Sequence, residues 1–244
     1  MGLLESWTLG DHRASGVRHP TYRKGSGPGV IVIHEIPGLT PSVIRFGDEL
    51  VDAGYTVVMP HLFGDPERAM NPLSIASSLR QVCVSREFTK LATRQTSPVA
   101  EWLRSLAREL HAELGGPGVG ALGMCFTGGF ALAMMVDDSV AAPVLAQPST
   151  PFAVSPSRKR DLNLSDADLA KVKERAAGGC SVLGLRYKGD PMVPRQRFER
   201  LTEEIGDKFI KVELEGHEHS TVTEHRSQEA VDAVLSFFAE KLNA

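Results

Sequence analysis

The stretch Gly118-Val-Gly-Ala-Leu-Gly-Met-Cys-Phe-Thr-Gly-Gly-Phe-Ala-Leu132 carries a short uncharged run into a helix-forming one through a cysteine flanked by glycines. Such a run fits a strand buried in a parallel sheet that turns abruptly into a helix. The turn admits only small neighbours, so Gly123 before Cys125 and the pair Gly128-Gly129 after it let strand and helix approach closely. The thiol of Cys125 is thereby exposed at a helix N-terminus. There the helix dipole favours a thiolate, and the N–H of Phe126 points toward an oxyanion formed on an attacked carbonyl. The spacing reads as a nucleophile elbow. The plain alternative is a cysteine buried as one more small hydrophobe.

Outward from this elbow the chain repeats the same alternation. Gly29–His34 (GVIVIH) is a short β-branched run, and Thr56–Met59, Val119–Leu122, Ala141–Leu145, Ser181–Leu185 and Phe209–Leu214 follow its pattern. Helical spacing predicts helices over Pro41–Ala53, Pro98–Leu114, Phe126–Val136, Ser165–Ala177, Pro194–Ile205 and Gln228–Leu242. Thr40-Pro41 and Val193-Pro194 place proline near a first turn, Ser165 stands as an N-cap, and Gly54 and Gly206 end two helices. Strands alternating with helices predict a doubly wound, mostly parallel sheet with helices on both faces, in one domain spanning 1–244. Its functional groups belong on loops beyond the carboxyl ends of the strands.

Three of those loops carry matching chemistry. Arg186-Tyr-Lys-Gly-Asp190-Pro ends a strand in a turn where Asp190 could accept the Nδ1–H of a histidine, or only build an Asx turn. Lys211-Val-Glu-Leu-Glu-Gly-His-Glu-His-Ser220 runs a strand into a loop with two histidines. His219 is the expected general base, with His217 as its rival. Cys125, Asp190 and His219 then stand in the chain order nucleophile, acid, histidine that marks α/β-hydrolases, each on the correct kind of loop.

The remaining loop, Ile33-His-Glu-Ile-Pro-Gly-Leu39, makes the resemblance specific. The runs GVIVIHEIPG, GYTVVMPHLFG and GMCFTGG resemble the dienelactone hydrolase family over about Gly29 to Leu242. The resemblance implies that Glu35 pairs with the resting Cys125 and helps deliver its thiolate, and that the N–H of Ile36 joins that of Phe126 as an oxyanion donor. A carboxylate directly after an apolar strand fits a functional role, because burying it costs unless something partners it. The chain departs from the family at Thr127, where the elbow commonly has glycine, so that turn must accept a β-carbon and a hydroxyl. The family also places arginines near a substrate carboxylate. Arg80, Arg86 and Arg94 lie on a helix-like stretch and Arg186 and Arg195 near the acid loop; Arg86 is the weakly favoured anchor.

Composition bounds the partners. A net charge of -3, with basic residues scattered singly or in pairs, excludes the basic stripe that nucleic acid or an anionic membrane requires. No segment reaches the roughly 18 apolar residues of a membrane span, and the first residues lack a signal-peptide pattern, so the expected location is cytoplasmic. Three cysteines at wide spacing suit neither a disulfide framework nor a zinc site, and Cys83 and Cys180 read as packing residues. The expectation is a hydrolase of a small ester or lactone, using a cysteine nucleophile without metal or organic cofactor. Competing readings are a thioesterase on a biosynthetic intermediate, a thiol-redox protein, and a non-catalytic binding module. The loops around Pro66–Asn71 and Pro148–Asp168 are expected to wall the pocket, and nothing in the sequence names an oligomer interface.

Overall fold

The computed structural model describes residues 2–84, 97–149 and 155–243. Eight strands form one sheet: β1 (Thr8–Ala14), β2 (Val17–Lys24), β3 (Gly29–Ile33), β4 (Thr56–Pro60), β5 (Val119–Met124), β6 (Val140–Ala146), β7 (Val182–Tyr187) and β8 (Phe209–Leu214). Their order is β1-β2-β4-β3-β5-β6-β7-β8. From β4 to β8 every pairing is parallel, whereas β1 with β2 and β2 with β4 are antiparallel. The strands expected from the apolar runs are all present, with ends within two residues of the expected ones.

The β1–β2 hairpin has no counterpart among the expected elements. Its exposed edge strand reads Thr-Leu-Gly-Asp-His-Arg-Ala, polar enough to hide in a search for buried runs. The usable signal is Ser15-Gly16, which turns the chain with φ of 51° and 76°, as a two-residue hairpin of matching twist requires.

The helices are α1 (Pro41–Asp52), α2 (Pro72–Val84), α3 (Pro98–Leu114), α4 (Gly128–Met134), α5 (Asp166–Ala177), α6 (Arg195–Ile205) and α7 (Gln228–Leu242), with a single turn at Pro156–Lys159. Thr40, Ser97 and Ser165 cap α1, α3 and α5 by accepting the N–H of Val43, Ala100 and Asp168 at 3.3, 3.2 and 3.1 Å. Each satisfies a donor that the helix start would otherwise orphan. Pro194 proves to be the cap of α6 and not its first residue.

The strand pleat sorts side chains into two cores. Val30 and Val32 of β3 pack with Val43, Ile44 and Leu50 of α1 and with Val231, Val234 and Phe238 of α7. Ile31 and Ile33 point to the other face, among Trp102 and Leu103 of α3, Phe130 of α4 and Phe198 of α6. With period two, a strand buried on both faces must be apolar at every position, and β3 is buried throughout. Burial of each such side chain contributes about 1.5–3 kcal/mol. No helix among the described residues is long and apolar enough to cross a membrane.

Candidate active site

At the end of β5 the backbone of Cys125 adopts φ 54°, a left-handed conformation that costs a non-glycine residue on the order of 1–3 kcal/mol. The surroundings hold it there. A β-carbon at Gly123 would lie 2.3 Å from the Thr127 carbonyl oxygen, and one at Gly128 would lie 2.8 Å from Cα of Pro148. The expected helix from Phe126 therefore begins as a 3₁₀ turn, Cys125–Thr127, and becomes α-helical only at Gly128. Thr127, the departure from the glycine expected at this turn, turns its extra atoms to use. Its buried Oγ1 accepts the Met124 N–H at 3.0 Å and has the carbonyls of Met124, Ile33 and His34 at 2.8, 3.0 and 3.2 Å as acceptors for its own proton. The elbow is thus tied to the end of β3. The Cys125 sulfur lies 3.3 Å from Ser149 Oγ, and the Ser149 N–H donates to the Cys125 carbonyl at 3.0 Å.

Beyond β7, Asp190 is buried and does both jobs open to it. Its Oδ1 accepts the Met192 N–H at 2.9 Å, forming the Asx turn, and its Oδ2 lies 2.6 Å from His219 Nδ1. His217 instead turns its Nδ1 to the Gly189 carbonyl at 3.4 Å and is exposed. His219 Nε2 is buried without a hydrogen-bond partner among the described residues. Burial opposes a charge on this ring, but the Asp190 carboxylate and the Cys125 sulfur together outweigh it and push the imidazole up to about 10. With Asp190 on Nδ1, the Nε2 atom is the one left to move a proton.

Glu35 is 1% exposed, and the Cys125 sulfur, a His219 ring nitrogen and a Glu35 oxygen lie within 4.8 Å of one another. These three residues are the group among those described that could hold a metal ion. Both carboxylate oxygens accept hydrogen bonds. Oε1 accepts the hydroxyl of Thr223, while Oε2 accepts the hydroxyl of Ser220 at 2.9 Å and Nε2–H of Gln147 at 3.3 Å. Gln147 is itself pinned, its Oε1 accepting the N–H and hydroxyl of Thr221 at 3.0 and 2.6 Å. Burial raises the carboxyl against the opposing pull of the Thr223 hydroxyl, His219, Ser220 and Gln147. Ile36 and Phe126 are half-buried beside the site. The N–H of Ile36 makes no hydrogen bond among the described residues.

The arginines divide differently. Arg86 and Arg94 lie outside the described residues, and Arg80 is exposed on α2. Arg186 is buried with Nε donating to Glu213 at 2.8 Å and Nη1 to the Val193 carbonyl at 3.2 Å, while Arg195 pairs with Glu199 at 3.0 Å on the surface. Both are engaged in holding the fold. Arg197, not singled out from the sequence, is fully buried behind the site; its Nη1 donates to the Ser149 carbonyl at 3.0 Å and burial pushes it down to about 10. Cys180 is half-buried, its sulfur donating to the Ala141 carbonyl at 3.6 Å; the Cys83 side chain lies outside the description. Ser149, Gln147, Ser220 and Thr223 were also missed. The one available signal was Gln147-Pro148, a polar residue at the end of apolar β6, which marks a fifth strand-end loop.

Comparison with known proteins adds an independent line. The profile of the dienelactone hydrolase family matches residues 17–242. A Saccharomyces cerevisiae protein, named for carboxymethylenebutenolidase activity, is 23% identical over 231 residues, covering 91% of this chain and 82% of its own. The fold is shared with a structure described as a dienelactone hydrolase from Klebsiella pneumoniae, 19% identical, TM-score 0.64, covering 97% of this chain and 100% of the other. It is shared too with a dienelactone hydrolase-like promiscuous phosphotriesterase from metagenomic libraries, 17% identical, TM-score 0.66, covering 97% and 98%. Both structures have the α/β-hydrolase fold, and so does this chain.

Proposed function

The chain belongs to the dienelactone hydrolase family and is a carboxylic ester hydrolase, and from that premise we propose that it cleaves a small ester or lactone by acyl transfer to Cys125. The Cys125 thiol gives its proton to His219 Nε2 as its sulfur attacks the carbonyl carbon, and the electron pair of the C=O bond moves onto oxygen. The N–H groups of Ile36 and Phe126 receive that oxyanion. As the tetrahedral adduct collapses, the C–O bond to the leaving alcohol breaks and His219 Nε2–H supplies its proton. Water then attacks the thioester with His219 as base, releasing the acid and restoring the thiol. Asp190 keeps the ring in the tautomer that both steps need. For a lactone the leaving alcohol stays tethered to the acyl group, so one hydroxy acid is the product.

The observation that carries this reading is the His219–Asp190 pair at 2.6 Å beside a cysteine held at φ 54°. The name of the yeast relative supports an ester or lactone substrate over a thiol-redox role. The test is a pre-steady-state assay with p-nitrophenyl acetate and intact-mass detection. The expected result is a burst with one acetyl group on Cys125, absent in Cys125→Ala and trapped without turnover in His219→Ala. Unchanged turnover in Cys125→Ala overturns the mechanism.

A further inference from the structure

We propose that Ser149 is a further catalytic residue, whose hydroxyl donates to the Cys125 sulfur whenever that sulfur is a thiolate, and that the buried Arg197 is the positioning residue that keeps it there. The proposal rests on the acyl-transfer reading above for the reaction in which the sulfur takes part.

The chain beyond β6 is bent so that Ser149 meets the nucleophile. Gln147 takes φ 36°, a left-handed conformation that strains a non-glycine residue, while its N–H donates to the Leu185 carbonyl at 2.8 Å. Pro148 then lies so close to the elbow that a β-carbon at Gly128 would sit 2.8 Å from its Cα. Ser149 follows, with its N–H on the Cys125 carbonyl at 3.0 Å and its Oγ 3.3 Å from the Cys125 sulfur. The backbone bond sets the register of serine on cysteine, and the side chain then reaches the reacting atom. Ser149 is buried, and among the described residues the hydrogen bond of its hydroxyl is to this sulfur. Beside a neutral thiol either atom can donate. Once His219 has taken the thiol proton, the sulfur has none to give and the hydroxyl is the donor. A hydrogen bond to a charged acceptor is roughly twice as strong as one between neutral groups, so the contact favours the thiolate. When the sulfur bonds the acyl carbon its charge is spent and this hold weakens. When water later displaces it, the C–S bond breaks, the departing thiolate accepts the same O–H, and His219 returns the proton.

Arg197 holds the other side of the serine. It lies in the first turn of α6, fully buried, with Nη1 donating to the Ser149 carbonyl at 3.0 Å and Nη2 to the Leu162 carbonyl at 3.4 Å. Its buried Nε has no hydrogen-bond partner among the described residues. A guanidinium taken out of water to donate to carbonyls is costly to keep, and here it braces the segment that carries Ser149. The elbow makes room for it: a β-carbon at Gly129 would lie 3.3 Å from Nη2. Gly128 therefore admits Pro148 and Gly129 admits Arg197, so the glycine pair after the nucleophile seats both ends of this brace.

The test uses Ser149→Ala, which removes the hydroxyl but leaves the backbone bond to Cys125, with Arg197→Met, the milder Arg197→Lys, and the double variant Ser149→Ala/Arg197→Met. Alkylation of Cys125 by iodoacetamide is followed across pH by mass spectrometry of its peptide, and kcat/KM is measured with p-nitrophenyl acetate. Thermal unfolding checks that each variant is folded, and Cys125→Ala runs in parallel. In Ser149→Ala the midpoint of the alkylation profile is expected to move up by about one pH unit, the scale of losing a donor to a charged group. The alkylation rate at high pH stays at or above that of wild type, because a thiolate freed of its donor is the stronger nucleophile. At neutral pH kcat/KM falls about tenfold. Arg197→Met moves the midpoint the same way, Arg197→Lys by less, and the double variant moves it no further than Ser149→Ala alone. A profile and kcat/KM for Ser149→Ala within about twofold of wild type overturn the catalytic role, and so does a rate lowered equally at every pH, which is a packing defect. A further shift in the double variant overturns the positioning role, since Arg197 would then act on the sulfur by its own charge. Retained turnover in Cys125→Ala removes the acyl-transfer reading instead, and the alkylation profiles, which involve no acyl transfer, keep the two failures apart.

Discussion

Two histidines at the carboxyl end of the same sheet are pushed in opposite directions. His34 directly follows β3 with no solvent exposure; its Nδ1 faces the Glu35 carbonyl at 3.1 Å and its Nε2 accepts the Leu62 N–H at 3.0 Å. Both nitrogens are satisfied by the neutral ring, and burial pushes it down to about 3, against a weaker upward pull from the Glu35 carbonyl. His219, beyond β8 and only partly buried, is pushed up to about 10 because a carboxylate and a sulfur outweigh its burial. Each imidazole lies on a loop beyond the carboxyl end of a strand, so position alone does not make a base. Burial expels the proton, and only a charged partner in contact keeps it.

Asp190→Asn is the sharpest way to break the contrast. The amide would keep the shape but remove the charge that separates His219 from His34. We expect kcat with p-nitrophenyl acetate to fall on the order of 10⁴-fold, the scale of removing the carboxylate from a triad. The His219 titration, followed by NMR of its ring carbons, should drop well below about 10. A ring that stays high in this variant would assign its charge to Cys125 and not to Asp190.

The next effect in size falls on stability, and the two rings act on opposite shoulders of the pH curve. His34 is depressed from 6.5 to about 3 in the fold, so below 6.5 the unfolded chain binds the extra proton and stability falls as pH drops toward 3. His219 is raised, so its contribution is fully present below 6.5 and is lost as pH rises through about 10. His34→Phe keeps a flat ring beside Phe63, which it meets edge-on at 4.5 Å, but leaves the Leu62 N–H and Glu35 carbonyl without their partner. Urea unfolding should show a loss of about 2–3 kcal/mol at neutral pH, with less further loss toward acid than in wild type. Asp190→Asn should flatten the alkaline shoulder instead. An acid shoulder unchanged in His34→Phe would mean that another group sets it.

The same contrast marks what the sequence could convey. Strands β3 to β7 were legible because burial of nearly every position forces an apolar run, and the β1–β2 hairpin was not, because its edge strand is mostly exposed and polar. Cys125, Asp190 and His219 could be picked out because chain order and strand-end placement constrain them jointly. Ser220, Thr223 and Gln147 carry no such pattern: short polar residues in loops look alike until the fold brings them onto one carboxylate from β6 and β8. Arg86 rested on family likeness alone and falls outside the described residues.

Thr127 connects the two regions and gives the smallest effect. Its hydroxyl lies within reach of the Ile33 and His34 carbonyls on one side and holds the Met124 N–H on the other, so it joins the β3 end, with His34, to the elbow that faces His219. Thr127→Val keeps the shape and removes the hydroxyl, leaving the buried Met124 N–H unpaired. The expected cost is about 1–2 kcal/mol in unfolding free energy, with a several-fold drop in kcat as the elbow relaxes. Thr127→Ser keeps the hydroxyl and loses one methyl group, costing about 0.8 kcal/mol or less with kcat near wild type. If the hydroxyl is what lets this chain replace glycine in the turn, Ser must outperform Val in both measurements. Equal stability and activity for the two would reduce Thr127 to a volume filler, and the link between the β3 end and the nucleophile would have to lie elsewhere in the packing around Gly123 and Gly128.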